Sequence, residues 1–343
     1  MTHSKLFQYI LDKVEKQHPI VSKPKSVDRS GMFEINRYTH EFADEWNGFV
    51  KRSKNGTFLI DRSYMDYHSE RYHDYSLMVY RKGRLYAILP ANRFDGVLYS
   101  HQGLTCGGLI MSSDVTTADV IVIFDLINEY LKKDGVSRVI YKPMPPIYHL
   151  IPAQEDLYAL FRIDAKIIER NISSTIYQNR KVRFYKMRKV AVRKANENHL
   201  VIRESDDYDS FWKILCDNLK TNHKVSPIHS LSEISLLHSR FPDNIKLYLA
   251  YKGDEILGGV LIYITTQVVH AQYCSATPEG KALGALDLLF DYLINNKYIG
   301  FPIFDFGKST TQMGMCLNEG LIFQKEGFGA RATVYDVYEY EIK

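Results

Sequence analysis

Four side chains in the second half of the chain could move a proton during group transfer: His223, His229, His270 and Asp305. His223 and His229 fall in KTNHKVSPIHSLSE, between two helical patterns, where a loop could cap a cleft. His270 sits in the strand-like run QVVHAQYC with Gln272 two residues on, so a regular strand puts both on one face, lining a channel or filling the core. Asp305 lies near the end of the apolar run FPIFDF, and ligand sites of open sheets gather at the carboxyl ends of buried strands. QVVHAQYC continues into SATPEGKALGALDLL. A strand that parts from its neighbour frees backbone N–H groups to hold a carbonyl, and a helix N-terminus following it attracts phosphate. Gln272, Tyr273 and Ser275 would line that strand, while Gly280 and Gly284 would let a pyrophosphate approach and Lys281 would add charge. These residue types suit a group transfer that needs a base, a stabilised oxyanion and a proton route to the leaving group; the Tyr273 hydroxyl could supply that proton.

Positioning such groups requires strands, and the sequence supplies them twice. VYRKGRLYAILPANRFDGVLYSHQGL reads as three strands joined by Lys-Gly and Asp-Gly turns, and LAYKGDEILGGVLIYITTQVVHAQYC repeats the order with Lys-Gly at its first turn. A helix follows each: Val120, Ile123, Phe124, Ile127 and Leu131 share one spacing with Ala282, Ala285, Leu286, Leu289 and Leu293. Buried strands VSRVIY and FPIFDF come next, and the halves close on KIIERNISSTIY and ATVYDVYEYEI. HEFADEWNGFVKRS precedes the first hairpin as a helix; DYDSFWKILCDNLKTNH and SLSEISLLHSRF, the latter opened by a capping box, precede the second. The expected organisation is an N-terminal arm (1–32), a first domain (33–177), a basic helical connector (178–198) and a second domain (199–343).

At 343 residues, with 45% hydrophobic and 24% charged side chains, two ordinary globular domains fit and collagen-like, coiled-coil or disordered classes do not. No run approaches the ~20 apolar residues of a membrane span, and the start lacks a signal-peptide core, so a cytoplasmic protein is expected. Cys106, Cys216, Cys274 and Cys316 are scattered without metal spacing, which predicts buried, reduced thiols and no metal site. The 25 tyrosines favour a large sheet component. The net charge of +4 conceals a polarity: residues 180–194, RKVRFYKMRKVAVRK, hold eight cations and no acid, leaving the rest at −4. Such a stripe is either an anion-binding surface or a solvated helix face.

This order of helices, antiparallel meander, long strand, helix and strand resembles the GNAT N-acetyltransferase fold. Two copies joined by a basic helix resemble the Fem peptidyl transferases and their FemAB-like acyltransferase relatives. The motif match lies in FDFGKSTTQMGMCLNEGLIFQKEGFGAR, at Phe306, Gly307, Ser309, Asn318, Gly320, Leu321, Lys325, Phe328 and Gly329. The resemblance implies an α+β (mixed α/β) fold of two GNAT-like domains, each a mostly antiparallel sheet flanked by helices. It further implies an acyl donor on the second domain, Lys325 neutralising charge on the substrate or oxyanion, and Lys308, Ser309 and Asn318 at the substrate. The glycine loop departs from the usual GNAT pattern, with Leu286 at its last position, so the donor is acetyl-CoA or another acyl-CoA, or an aminoacyl-tRNA held in part through residues 180–194. The first half's loop, HQGLTCGG, would shape an acceptor cleft at Gly103 and Gly107. A binding protein that has kept this fold without catalysis is the alternative.

Overall fold

The computed structural model describes residues 30–343, without the side chains of Ser30, Asn222 and His223; the arm expected over residues 1–32 thus lies almost wholly outside the described residues. The first half contains strands β1 (Phe33–Arg37), β2 (Leu77–Arg81), β3 (Arg84–Leu89), β4 (Asn92–Phe94), β5 (Val97–Tyr99), β6 (Ile110–Met111), β7 (Arg138–Tyr141) and β8 (Lys166–Tyr177). Its helices are α1 (Ala43–Arg52), α2 (Arg62–Met65), α3 (Thr117–Lys133) and α4 (Glu155–Arg162). The basic segment forms α5 (Lys186–Glu197). After it come β9 (Val201–Ser205), α6 (Tyr208–His223), α7 (Leu231–Arg240), β10 (Ile245–Lys252), β11 (Glu255–Ile264), β12 (Val268–Ala276), α8 (Pro278–Leu283), α9 (Ala285–Tyr292), β13 (Ile303–Lys308), β14 (Thr310–Thr311), β15 (Cys316–Leu317), α10 (Glu319–Gly327) and β16 (Arg331–Glu341).

Local chemistry explains the turns. Lys82-Gly83 and Asp95-Gly96 both have positive φ, the conformation of the tight hairpin turns that match strand twist. Helix α3 buries all five residues of the sequence pattern and opens on a Thr116/Asp119 capping box; α7 opens on the expected Ser230/Glu233 box. The corresponding helix of the second half is broken, since Gly284 (φ +82) ends α8 and starts α9, leaving Ala282 exposed.

A ten-stranded sheet runs β4-β5-β7-β16-β8-β13-β12-β11-β10-β9, with a four-stranded sheet β1-β2-β3-β6 beside it. The C-terminal strand β16 pairs with β7 of the first half, and β8 of the first half pairs with β13 of the second. β8 and β16 pair with each other along nearly their whole length. Each half therefore completes its sheet with the other half's last strand. One apolar core belongs to the first half and one to the second, while a third draws Trp46, Phe49 and Tyr64 together with Phe211, Trp212, Leu247 and Tyr263. Phe58 packs edge-on against Tyr263 (5.6 Å between centroids) within this shared core. The halves are thus fixed against each other by a common core and shared strands.

Cysteine placement departs from expectation: all four are free, but only Cys106 is buried, Cys216 is half-buried, and Cys274 and Cys316 are exposed. Among the described residues, no cluster of three or more His, Cys, Asp or Glu could hold a metal, and no helix is long and apolar enough to cross a membrane.

Candidate active site

β12 and β13 run parallel for only three pairs, Val268↔Ile303, Val269↔Phe304 and His270↔Asp305, after which β12 continues to Ala276 without that neighbour. The pairing stops at the two residues best suited to acid-base chemistry. On its other side β12 bulges at Gln272, because Ile262 faces Ala271 and Leu261 faces Tyr273. A bulge leaves one residue out of the ladder and turns the strand. It also corrects the expected alternation: Val268 joins the shared core and Val269 the second-half core, yet four residues after Val269, past the bulge, Tyr273 packs on the shared-core side.

Asp305 is completely buried and fully engaged. His270 Nδ1–H donates to Oδ2 at 2.7 Å, the Tyr335 hydroxyl donates to the same oxygen at 3.2 Å, and Ser173 and Thr175 donate to Oδ1 at 2.6 and 3.2 Å. Burial alone would raise the carboxyl pKa, but the adjacent imidazole and the two hydroxyls outweigh it and hold Asp305 below the ordinary carboxylate range. A carboxylate fixed to Nδ1–H leaves Nε2 of His270 as the free base. Gly307 (φ +75) lies against the ring, where a Cβ would stand 3.1 Å from His270 Cε1.

Tyr273 makes a second pair. Its hydroxyl accepts from the His229 backbone N–H (3.3 Å) and shares a hydrogen bond with His229 Nδ1 (2.7 Å), burial having pushed the imidazole pKa down to about 4. His229 and Gln272 line a cleft of about 300 Å³ between the halves. Its first-half wall includes Tyr67, His68, Tyr72 and the loop Gln102–Cys106, and Glu169, Asn171, Lys142, Lys308 and Asp336 also face it. Gly103 is among the lining residues and packs so tightly on His68 that a Cβ there would overlap the ring; Gly107 is outside the lining and abuts the Ser100 carbonyl.

Several expected site residues are occupied elsewhere. A Cβ on Gly280 would overlap the Leu257 carbonyl oxygen, and one on Gly284 would stand 2.6 Å from Ala191 O on α5. These glycines therefore let α8 and α9 pack against β11 and the basic helix, with Leu257 and Ala191 filling the side of each that a Cβ would take. The Thr277 hydroxyl already takes the Gly280 N–H, and Lys281 Nζ bonds to Asn218. Ser275 is buried and donates to Ile214 O (3.3 Å). Asn318 caps α10 by accepting from Leu321 N–H (3.0 Å). Ser309 is buried with its hydroxyl unpaired. Lys325 is 7% exposed and donates to the carbonyls of Gly307 and Lys308, both at 2.9 Å, so it braces the end of β13; burial pushes its pKa down to about 8. His223 ends α6, and its side chain is outside the described residues.

Ser173, Thr175 and Tyr335 are functional candidates that the reading of single motifs missed. The signal was present in β8, where Glu169, Asn171, Ser173 and Thr175 recur at every second residue as a polar stripe. Of the eight cations in residues 180–194, Arg188 pairs with Asp287 (2.9 Å) and Lys181 bonds to Asn295 (2.5 Å). Arg180, Arg183, Lys186, Lys189, Arg193 and Lys194 are exposed.

β12 and β13 thus part at the His270–Asp305 pair, beside a cleft between two like halves. Residues 179–312 match the acetyltransferase (GNAT) domain family. Among solved structures, the chain is similar to FemX (TM-score 0.67, 12% identity, 90% of this chain and 97% of that one). It is also similar to the C-terminal domain of a putative lysylphosphatidylglycerol synthetase from Agrobacterium fabrum (0.56, 10%, 87% and 91%). A tandem GNAT protein from the clavulanic acid biosynthesis pathway aligns as well (0.50, 11%, 91% and 99%). No curated protein matches the sequence. The chain has the GNAT fold, in a two-part arrangement shared along nearly its whole length with FemX.

Proposed function

We propose that the protein is a cytoplasmic N-acyltransferase that moves an acyl group from acetyl-CoA or a related acyl-CoA to an amine on a sugar, peptide or cell-envelope precursor. The observation that carries this reading is the coincidence of the β12/β13 splay with the His270–Asp305 dyad. His270 Nε2 takes a proton from the attacking amine, and Asp305 stabilises the imidazolium that forms. Backbone N–H groups of β12 beyond His270, freed from β13, receive the carbonyl oxygen as it gains charge. With His229 as the Nδ1–H tautomer donating to the Tyr273 oxygen, the Tyr273 proton is free to go to the leaving group. Lys325 acts through the backbone of Gly307 and Lys308 as a positioning residue, and the amine acceptor occupies the cleft against Gln102–Cys106.

A second donor reading, aminoacyl-tRNA, draws on the six exposed cations at and before α5, which packs directly on the loop at Gly284. A non-catalytic binding protein fits less well, because a buried carboxylate aligned on an imidazole is costly to maintain without chemistry to serve. Thermal unfolding in the presence of acetyl-CoA, and separately of charged tRNA, separates the readings: a ligand at 100 times its Kd adds ~2.7 kcal/mol. Stabilisation by neither, together with no acyl transfer to a panel of amines, would favour the binding protein.

A further inference from the structure

Lys142 follows β7 in the first half, and Lys308 ends β13 in the second. Both face the inter-half cleft. Lys142 is tethered, its ammonium donating to the carbonyls of Leu104 (3.1 Å) and His101 (3.4 Å), which leaves one of its three protons uncommitted. Lys308 Nζ has neither a carboxylate nor a hydrogen-bond partner among the described residues. Of the carboxylates on the cleft, Asp336 is already neutralised by a two-pronged bond from Arg170 (2.7 and 2.8 Å). Glu169 accepts from the Asn171 amide (2.5 Å) and lies four residues along β8 from Ser173, the register partner of Lys308. At ~3.3 Å per residue that is roughly 13 Å of strand. Burial lowers the Lys142 pKa and the charge of the exposed Lys308 lowers it further, while Glu169 acts in the opposite direction without reversing the shift.

Lys142 feels a second cation from the opposite half, offset in part by Glu169, and an anion seated between the two ammonium groups would relieve that repulsion. We propose that Lys142 and Lys308 together form an oxyanion-binding subsite of the cleft, taking a phosphate or carboxylate group carried by the amine acceptor. The assignment of that anion to the acceptor rests on the acyltransferase reading; the anion site itself does not. Glu169, a cleft carboxylate in the field of Lys142 but without an ion-paired cation among the described residues, lies at the other end of the β8 stripe and suits the acceptor's ammonium before it is deprotonated. The acceptor is therefore a molecule with an amine and an oxyanion, and the cleft discriminates against neutral amines.

Calorimetric titration of the full-length protein at low ionic strength, with inorganic pyrophosphate and separately with succinate, tests the subsite and distinguishes phosphate from carboxylate. At least one of the two is expected to bind at one site per chain. Lys308→Met weakens that binding tenfold or more, Lys308→Arg retains it within about threefold, and Lys189→Met, on the exposed face of α5, leaves it unchanged. Lys142→Met gives the same loss as Lys308→Met provided its thermal unfolding matches wild type; where it does not, Lys308 alone decides. No binding of either anion, an unchanged Kd in Lys308→Met, or an equal loss in Lys189→Met overturns the proposal. Because no turnover is measured, these outcomes are separate from those that bear on acyl transfer, where failure appears as no product from any amine.

Discussion

Replacing Asp305 by Asn is the most informative single change, because size is kept while charge and one acceptor are lost. In the wild type both carboxylate oxygens accept, Oδ1 from Ser173 and Thr175 and Oδ2 from His270 and Tyr335. With two hydroxyls fixing the amide oxygen at Oδ1, the Nδ2 group of Asn faces His270 Nδ1 and becomes a donor. The imidazole must then present Nδ1 as acceptor and carry its proton on Nε2, where the base is needed. General-base catalysis contributes about 10²–10⁴-fold, so turnover should fall by that factor, about 3–5 kcal/mol of barrier. Stability should change less: a hydrogen bond to a charged group is worth about 1.5–3 kcal/mol, and removal of a buried charge partly offsets its loss. The assays are acyl transfer under saturating donor, urea unfolding, and nitrogen NMR of the imidazole, which reads Nδ1–H in the wild type and Nε2–H in the variant. A variant that folds, shows the switched tautomer and still turns over within tenfold of wild type would refute the assignment of His270 as base.

Three further outcomes follow from the same geometry. Because Asp305 is held below the ordinary carboxylate range, its ionisation stabilises the fold above the unfolded pKa and that contribution is lost as pH falls through the folded value. The stability gap between wild type and Asp305→Asn should therefore shrink in acid, as measured by urea midpoints. Lys325 has the opposite placement: its pKa falls to about 8 on folding, so between about 8 and 10.5 the unfolded chain binds more protons and wild-type stability gains on Lys325→Met as pH rises. A flat difference across that window would mean the ammonium is solvated. Gly280→Ala should cost roughly 1–3 kcal/mol by overpacking against Leu257, seen as a lower Tm with no donor present; a neutral effect would mean that α8 has room for a Cβ beside Leu257.

Much of the architecture is legible in the sequence because it rests on local rules. The Lys-Gly and Asp-Gly turns, the capping box before α7 and the helical spacing from Val120 to Leu131 each act over a few residues, and each forms where its pattern stands. His270 and Asp305 were identifiable as separate candidates for the same reason. Their pairing was not, since they are joined only by the register of two parallel strands. Gly280 and Gly284 mislead in isolation, because glycine at a strand-to-helix loop serves a ligand's approach or a neighbour's equally well, and only the positions of Leu257 and Ala191 distinguish them.

The amino-acid sequence by itself determined the kinds of element, their order, the repeat of that order and the basic character of α5, all consequences of side-chain periodicity and turn chemistry. Tertiary structure decided where the candidate site lies. β8 reaches across to β13 and β16 returns to β7, so the carboxylate of the second half is held by Ser173 and Thr175 of the first and by Tyr335 of the exchanged strand. Strand exchange depends on contacts more than 100 residues apart, which no local pattern encodes, and it makes the candidate site the joint property of both halves.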